Sequence, residues 1–141
     1  MPTQPSQLQI TDGAIRAMAW FFDNSLDIFL CVQGGVLTRT NKTWTALTGW
    51  DAPDALGLSF WDFVHADDVV EARAAVGALG LGERCVVEHR VSTTAAGWLW
   101  MRSHAVGGED GWALMILRDI TAERERERES EQARRAAGLL R

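Results

Sequence analysis

The chain has no tyrosine, two cysteines, three histidines and three prolines in 141 residues. Each shortage excludes something. Cys31 and Cys85 stand alone, without the close pairing that metal or redox motifs need, so a reduced, cytoplasmic compartment is expected. No apolar run approaches the ~18 residues of a membrane span. The opening MPTQPSQLQITDG lacks a basic region followed by an apolar core, so no secretory signal is read there. Serine, histidine and aspartate are all present. However, no strand–turn–helix elbow presents a nucleophile, so this segment is expected to carry no catalysis of its own and no metal.

Basic charge is also scarce. Net charge is −5 overall, and it is uneven. Residues 123–141 hold five acids and six arginines, so residues 1–122 carry the whole excess, a net of −6. A globular body this acidic is a poor match for a phosphate backbone, and nucleic acid is not an expected partner.

Apolar surface is abundant. Hydrophobic residues make up 47% of the chain, with seven tryptophans and five phenylalanines, which places it among globular proteins. From Ala14 to Phe22 only Arg16 is polar, and Thr11 or Asp12 is placed to cap a helix there. A helix apolar nearly all round needs cover on more than one side. The run LDIFLCV (26–32) reads as a buried strand, Gly34-Gly35 as a tight turn and VLTRTN (36–41) as the returning strand. Strand chemistry then stops. Asn41 is expected to cap a short helix over 42–48 that ends at Gly49. Pro53 suits a first helical turn, and Ser59 with Asp62 suggests a capping box. Asp67 or Asp68 is expected to start the longest internal helix, 67–79, with Val69, Ala72, Val76 and Leu79 on one face.

Strands resume at RCVVEHRV (84–91), GWLWMRSHAV (97–106) and GWALMILRDI (111–120). The order predicts an α+β fold. It has a five-strand antiparallel sheet with short helices on one face, an N-terminal amphipathic helix and a C-terminal helix. Alternation sets the register of the middle hairpin: Glu88 opposite Arg102, Arg90 opposite Trp100, and His89 opposite Met101. His89 then lies on the helix-covered face. Trp98, Trp100 and His104 lie on the outer face, with a charge pair and a cation–π contact. The last strand is apolar on both faces, so the outer face also needs cover.

Several stretches together resemble a PAS domain: FFDNSLDIFLCV, Asn41-x-x-Trp44-x-x-Leu47-Thr48-Gly49, LGLSFWDFVHADD, the Gly97-Trp98 strand and the closing Asp119-Ile120-Thr121. The likeness runs from about residue 21 to 122. One departure is Ala66, where many members have proline. The resemblance implies residues 1–23 as a lead and dimerisation helix, 24–121 as the PAS domain, and 122–141 as a linker helix. It implies a sensory module that regulates an output domain of the histidine kinase or cyclic-di-GMP cyclase or phosphodiesterase type. Since the helical pattern runs on to Arg141, an output domain is expected beyond it.

The same resemblance weighs against cofactors. Haem is disfavoured because 66–80 offers no histidine, cysteine, methionine or tyrosine, which leaves only His65 or His89 as ligands from less usual positions. Flavin is disfavoured because no cysteine precedes the long helix, and a phenolic chromophore finds no tyrosine. Three functions remain. The leading one is a homodimer in which Ile15, Met18 and Phe22 meet Trp98, Trp100 and Ile116. The second is a small-molecule sensor with a pocket lined by His89, Ser103, Met101, Phe60 and Val76. The third is a docking module that recruits another signalling protein to the outer face. The terminal helix alternates Glu and Arg from 123 to 129. Pairs such as Glu123–Arg126 are expected to attract and Glu123–Glu127 to repel, with no apolar seam until Ala133.

Overall fold

A computed structural model of the chain describes residues 11–139. The polar lead 1–10, Leu140 and Arg141 lie outside the described residues. Helix α1 (Asp12–Asn24) is capped by Thr11, whose hydroxyl accepts the Ala14 N–H at 3.1 Å. Strands β1 (Ile28–Gln33) and β2 (Val36–Thr40) form a hairpin through Gly34 and Gly35, both at positive φ as a tight two-residue turn requires. Three short helical pieces follow: α2 (Lys42–Thr48), α3 (Ala52–Ala55) and a single 3-10 turn, Phe60–Phe63. Helix α4 (Ala66–Gly77) leads into β3 (Arg84–Ser92), β4 (Trp98–Gly107) and β5 (Trp112–Asp119), and α5 (Thr121–Leu139) closes the described chain.

The five strands form one antiparallel sheet in the order β2-β1-β5-β4-β3. The last strand therefore enters the middle and joins the N-terminal hairpin to the β3–β4 hairpin. The hairpin register is the one alternation predicts, including Glu88 opposite Arg102, Arg90 opposite Trp100 and His89 opposite Met101. One face of the sheet and the helices from α2 to α4 enclose the core. Ile28, Leu30, Leu37, Met101, Met115 and Leu117 come from the strands, and Trp44, Phe60, Phe63, Ala72 and Val76 from the cover. The aromatic segment between β2 and α4 seals this face edge-on. Trp44 meets Phe63 with centroids 5.2 Å apart, and Trp50 meets Phe63 at 5.7 Å.

Three local expectations need correction. Asn41 stands at the start of α2, but its side chain makes no capping bond there. It is buried. Its Oδ1 accepts the Phe29 N–H at 3.1 Å, and its Nδ2 donates to the carbonyls of Phe22 (2.9 Å) and Asp27 (3.0 Å). The tertiary demand wins because three backbone groups brought together would otherwise go unpaired, whereas a helix start can be left to solvent. Ser59 likewise makes no capping bond at the 3-10 turn. The cap of α4 is His65, whose Nδ1 accepts the Asp67 N–H at 3.0 Å, and neither Asp67 nor Asp68 fills that place. Gly49 does end α2, at φ 84°, where any side chain would strain the backbone and strike the Thr94 hydroxyl.

Asn41 supplies the first test. Asn41→Ala strands one N–H and two carbonyls at the root of α1 and β1, so it should lower stability by about 2 kcal/mol. Chemical denaturation with an unchanged slope would show it.

Candidate functional site

The five pocket residues read from the sequence all lie in the core, and Val76 lies on a separate hollow with Trp61 and Arg73. His89, Ser103, Met101 and Phe60 are fully buried, and Val76 nearly so. Strand alternation puts His89 and Ser103 on the inner face of neighbouring strands, where His89 Nε2 lies 2.6 Å from Ser103 Oγ. Phe60 closes edge-on over the imidazole, with centroids 5.8 Å apart. Burial pushes the His89 pKa down to about 4, against a weaker pull from the Asp68 carboxylate. The ring is therefore neutral at pH 7. Its Nδ1 has no hydrogen-bond partner among the described residues, and neither has the buried indole N–H of Trp44.

The outer face has a different chemistry. Phe29 and Cys31 of β1, Val86 of β3, His104 and Val106 of β4, and Leu114 and Ile116 of β5 line an open groove of about 650 Å³. Val86 is 56% exposed, Leu114 54% and Ile116 42%. Helix α1 borders the groove. Its Ile15, Met18 and Phe22 share one face and lie near Cys31, Arg39 and Leu114, with Phe22 against Phe29. The opposite side of α1 carries Trp20 and Phe21, stacked edge to face at 5.4 Å and 61% and 65% exposed. No residue of α1 is buried.

Of the six interface residues read from the sequence, Phe22 and Ile116 line this groove together, while Trp98 and Trp100 do not line it. Trp98 packs at a tilt against His65, with centroids 4.5 Å apart. Trp100 is tied to α5. Its N–H donates to Thr121 Oγ1 at 3.0 Å, its carbonyl accepts the Ile120 N–H at 2.8 Å, and the Arg124 guanidinium sits 3.5 Å above its ring.

A polar network surrounds that junction. Asp68 grips Arg90 through both carboxylate oxygens, at 2.9 and 3.0 Å, and accepts the Arg90 N–H at 2.8 Å. These bonds hold its pKa below the usual carboxylate range. Arg90 in turn lies 4.8 Å from the Trp100 ring centroid, as its register position predicts. Glu88 accepts from Arg102 at 3.1 Å and from Arg124 at 3.0 Å. Burial alone would raise the Glu88 pKa, but the two arginines outweigh it and the shift is downward.

Glu123 and Arg124 therefore turn to Arg102 and Glu88 on the sheet, not to the helical neighbours Arg126 and Glu127 that spacing suggested. Farther along α5 one pair of the expected i,i+3 kind forms, Glu125–Arg128, and beyond the alternating stretch Glu131 pairs with Arg135 at i,i+4. Sequence reading found the Arg90–Trp100 pair but missed Asp68 and Arg124. The strict Glu-Arg alternation of α5 makes every arginine there look equivalent.

Other chemistry is sparse. Burial raises the pKa of both cysteine thiols, which disfavours the reactive thiolate. Among the described residues no group of three or more His, Cys, Asp or Glu is placed to hold a metal ion, and no helix is long and apolar enough to cross a membrane.

The strand order, the central C-terminal strand and the short helices over one face are those of a PAS domain, and the chain has the PAS fold. Solved structures bear this out. The PAS domain of an HTR-like protein from Haloarcula marismortui superposes with a TM-score of 0.70 at 22% identity, over 78% of this chain and 100% of that one. A domain of a sensory box sensor histidine kinase/response regulator from Geobacter sulfurreducens gives 0.59 at 23%, over 74% of this chain and 93% of that one. An RNA-binding light-oxygen-voltage receptor gives 0.71 at 15%, over 99% of this chain but 42% of that one. No protein-family model matches the sequence, and no curated protein matches it.

Proposed function

We propose that this PAS domain is a regulatory dimerisation module that pairs through α1 and the outer face of the sheet and acts on an output domain through α5. The observation that carries the reading is α1 itself. It has 13 residues, most of them apolar, yet a single copy buries none of them. A helix of that length is marginal alone in water and is normally held by packing of its apolar side. It stands beside a sheet face that also exposes aliphatic residues. A second copy covers both surfaces at once. The likeness to a domain of a sensor histidine kinase agrees with a place in signal transduction.

The test is the association state. Light scattering should find a dimer at micromolar concentration, and removing residues 1–23 should yield a monomer. A chain that is monomeric whether or not 1–23 is present would defeat the reading.

A second reading, a small-molecule sensor, is favoured by one observation. Two polar atoms, His89 Nδ1 and Trp44 Nε1, are buried in the core without a partner, and buried polar groups are normally satisfied. Native mass spectrometry of freshly purified protein should then show an added mass that His89→Leu loses. Bare protein in both samples, with no shift in melting across a ligand screen, would remove this reading.

A further inference from the structure

The junction of β4 with α5 carries more contacts than a chain reversal needs, and they converge on one residue. Both backbone groups of Trp100 are used by the start of α5, by Thr121 and Ile120. Its ring takes two guanidinium groups, Arg124 from α5 at 3.5 Å and Arg90 from β3 at 4.8 Å. Two cations near one indole repel each other unless each has its own anion. Here each has a partner: Asp68, in the first turn of α4, holds Arg90, and Glu88, whose other oxygen takes Arg102, holds Arg124.

We infer that Trp100 is a two-sided coupling residue through which the start of α4 and the first turn of α5 sense each other. Asp68 sets the position of Arg90. Arg90 shares the Trp100 ring with Arg124, and Arg124 with Glu88 fixes the direction in which α5 leaves the sheet. A shift of α4, which packs Ala72 and Val76 into the core, thereby reaches α5 without any direct contact between the two helices' charged groups.

The linkage is also suited to release. Arg124 Nε is buried without a hydrogen-bond partner, so the guanidinium depends on the indole face and on one Glu88 oxygen. The side chain is 39% exposed, so water can take over the charge when either contact is lost, and the helix start is then free to turn. Packing in the core and charge on the surface meet at one aromatic ring, and coupling through such a chain shows as non-additive behaviour.

The inference deepens the proposed function by naming what orients the output helix, and it rests on that reading of α5. Amide hydrogen exchange in the full chain tests it. Arg124→Gln should speed exchange of the amides of 125–128 about tenfold. Asp68→Asn should raise the same amides by a similar factor, although Asp68 makes no hydrogen bond or ion pair with α5. Added to Arg124→Gln, it should contribute less than about twofold more. Arg90→Lys leaves Asp68 in place and keeps its countercharge. It loses the planar group beside the indole, and it should reproduce the Asp68→Asn result.

Faster exchange confined to α4 and β3, with 125–128 unchanged, would overturn the coupling. So would a full tenfold increase from Asp68→Asn on top of Arg124→Gln. Light scattering on the same samples keeps the two proposals apart. A dimer whose α5 ignores Asp68 defeats only the coupling, and a monomer whose α5 responds to Asp68 defeats only the pairing.

Discussion

Lowering the pH from 7 to 4 should remove about 3 kcal/mol of stability through His89 alone. The unfolded chain gains a proton on this histidine near its ordinary pKa of 6.5, whereas the folded chain resists until about 4. Below 6.5 the unfolded state thus binds more protons, and stability falls with pH until the folded ring also charges. Below about 4 this contribution levels off. The carboxylates act in a lower window. Asp68 and Glu88 have folded pKa values below their ordinary 3.8 and 4.5, so their ion pairs stabilise above those values and are lost only as the pH falls below them.

The two windows make the test specific. Urea unfolding at intervals from pH 7 to 4 should give a sloping stability for the native chain and a much flatter one for His89→Leu. That variant should cost about 1 kcal/mol at pH 7, because Ser103 loses its partner, but that cost does not vary with pH. Equal slopes for the two proteins would show that His89 is not held neutral in the core.

The second large effect is expected on the outer face. Ile116→Glu should weaken self-association more than 100-fold, because it drives a carboxylate into the centre of the apolar groove. The side chain is 42% exposed in a single chain, so the monomer should tolerate the change with little loss of stability. Leu81→Glu is the control. Leu81 is 71% exposed in the turn before β3, outside the groove, and should leave the dimer intact. Sedimentation over a concentration series would check both. If Ile116→Glu associates as the native chain does, this groove is not where two copies meet.

Pairing of α1 on the sheet would also give the exit helix a defined task. Two copies joined at that face would bring two α5 helices into one particle, each starting from a Trp100 junction. The charge of α5 keeps its first three turns from forming an apolar seam. Its direction at the start is therefore set by the sheet, through Arg102, Glu88 and Trp100, and not by helix–helix packing at that point.

Much of this organisation was legible in the residues. Alternation in RCVVEHRV and GWLWMRSH aligned Glu88 with Arg102 and put His89 in the core, because a one-residue slip would have exchanged the buried and exposed sets. Thr11 and Gly49 marked the ends of their helices through requirements local to the chain. The roles of Asn41, Asp68 and Arg124 were not legible. Each of these side chains had an adequate local use, a cap or an i,i+3 pair, and gave it up for partners 12 to 36 positions away.

The sequence by itself determined which segments are strands and helices, which strand faces are apolar, and that more apolar surface exists than one face of the sheet can hide. These follow from period, cap and turn chemistry, which act over a few residues. Only the tertiary structure decided that β5 enters between the hairpins, that Asn41 ties α1 to β1, and that Trp100 holds two arginines at the root of α5. Those choices depend on which backbone groups and charges meet once the sheet closes. Burial then makes an unpaired group costly enough to override local preference.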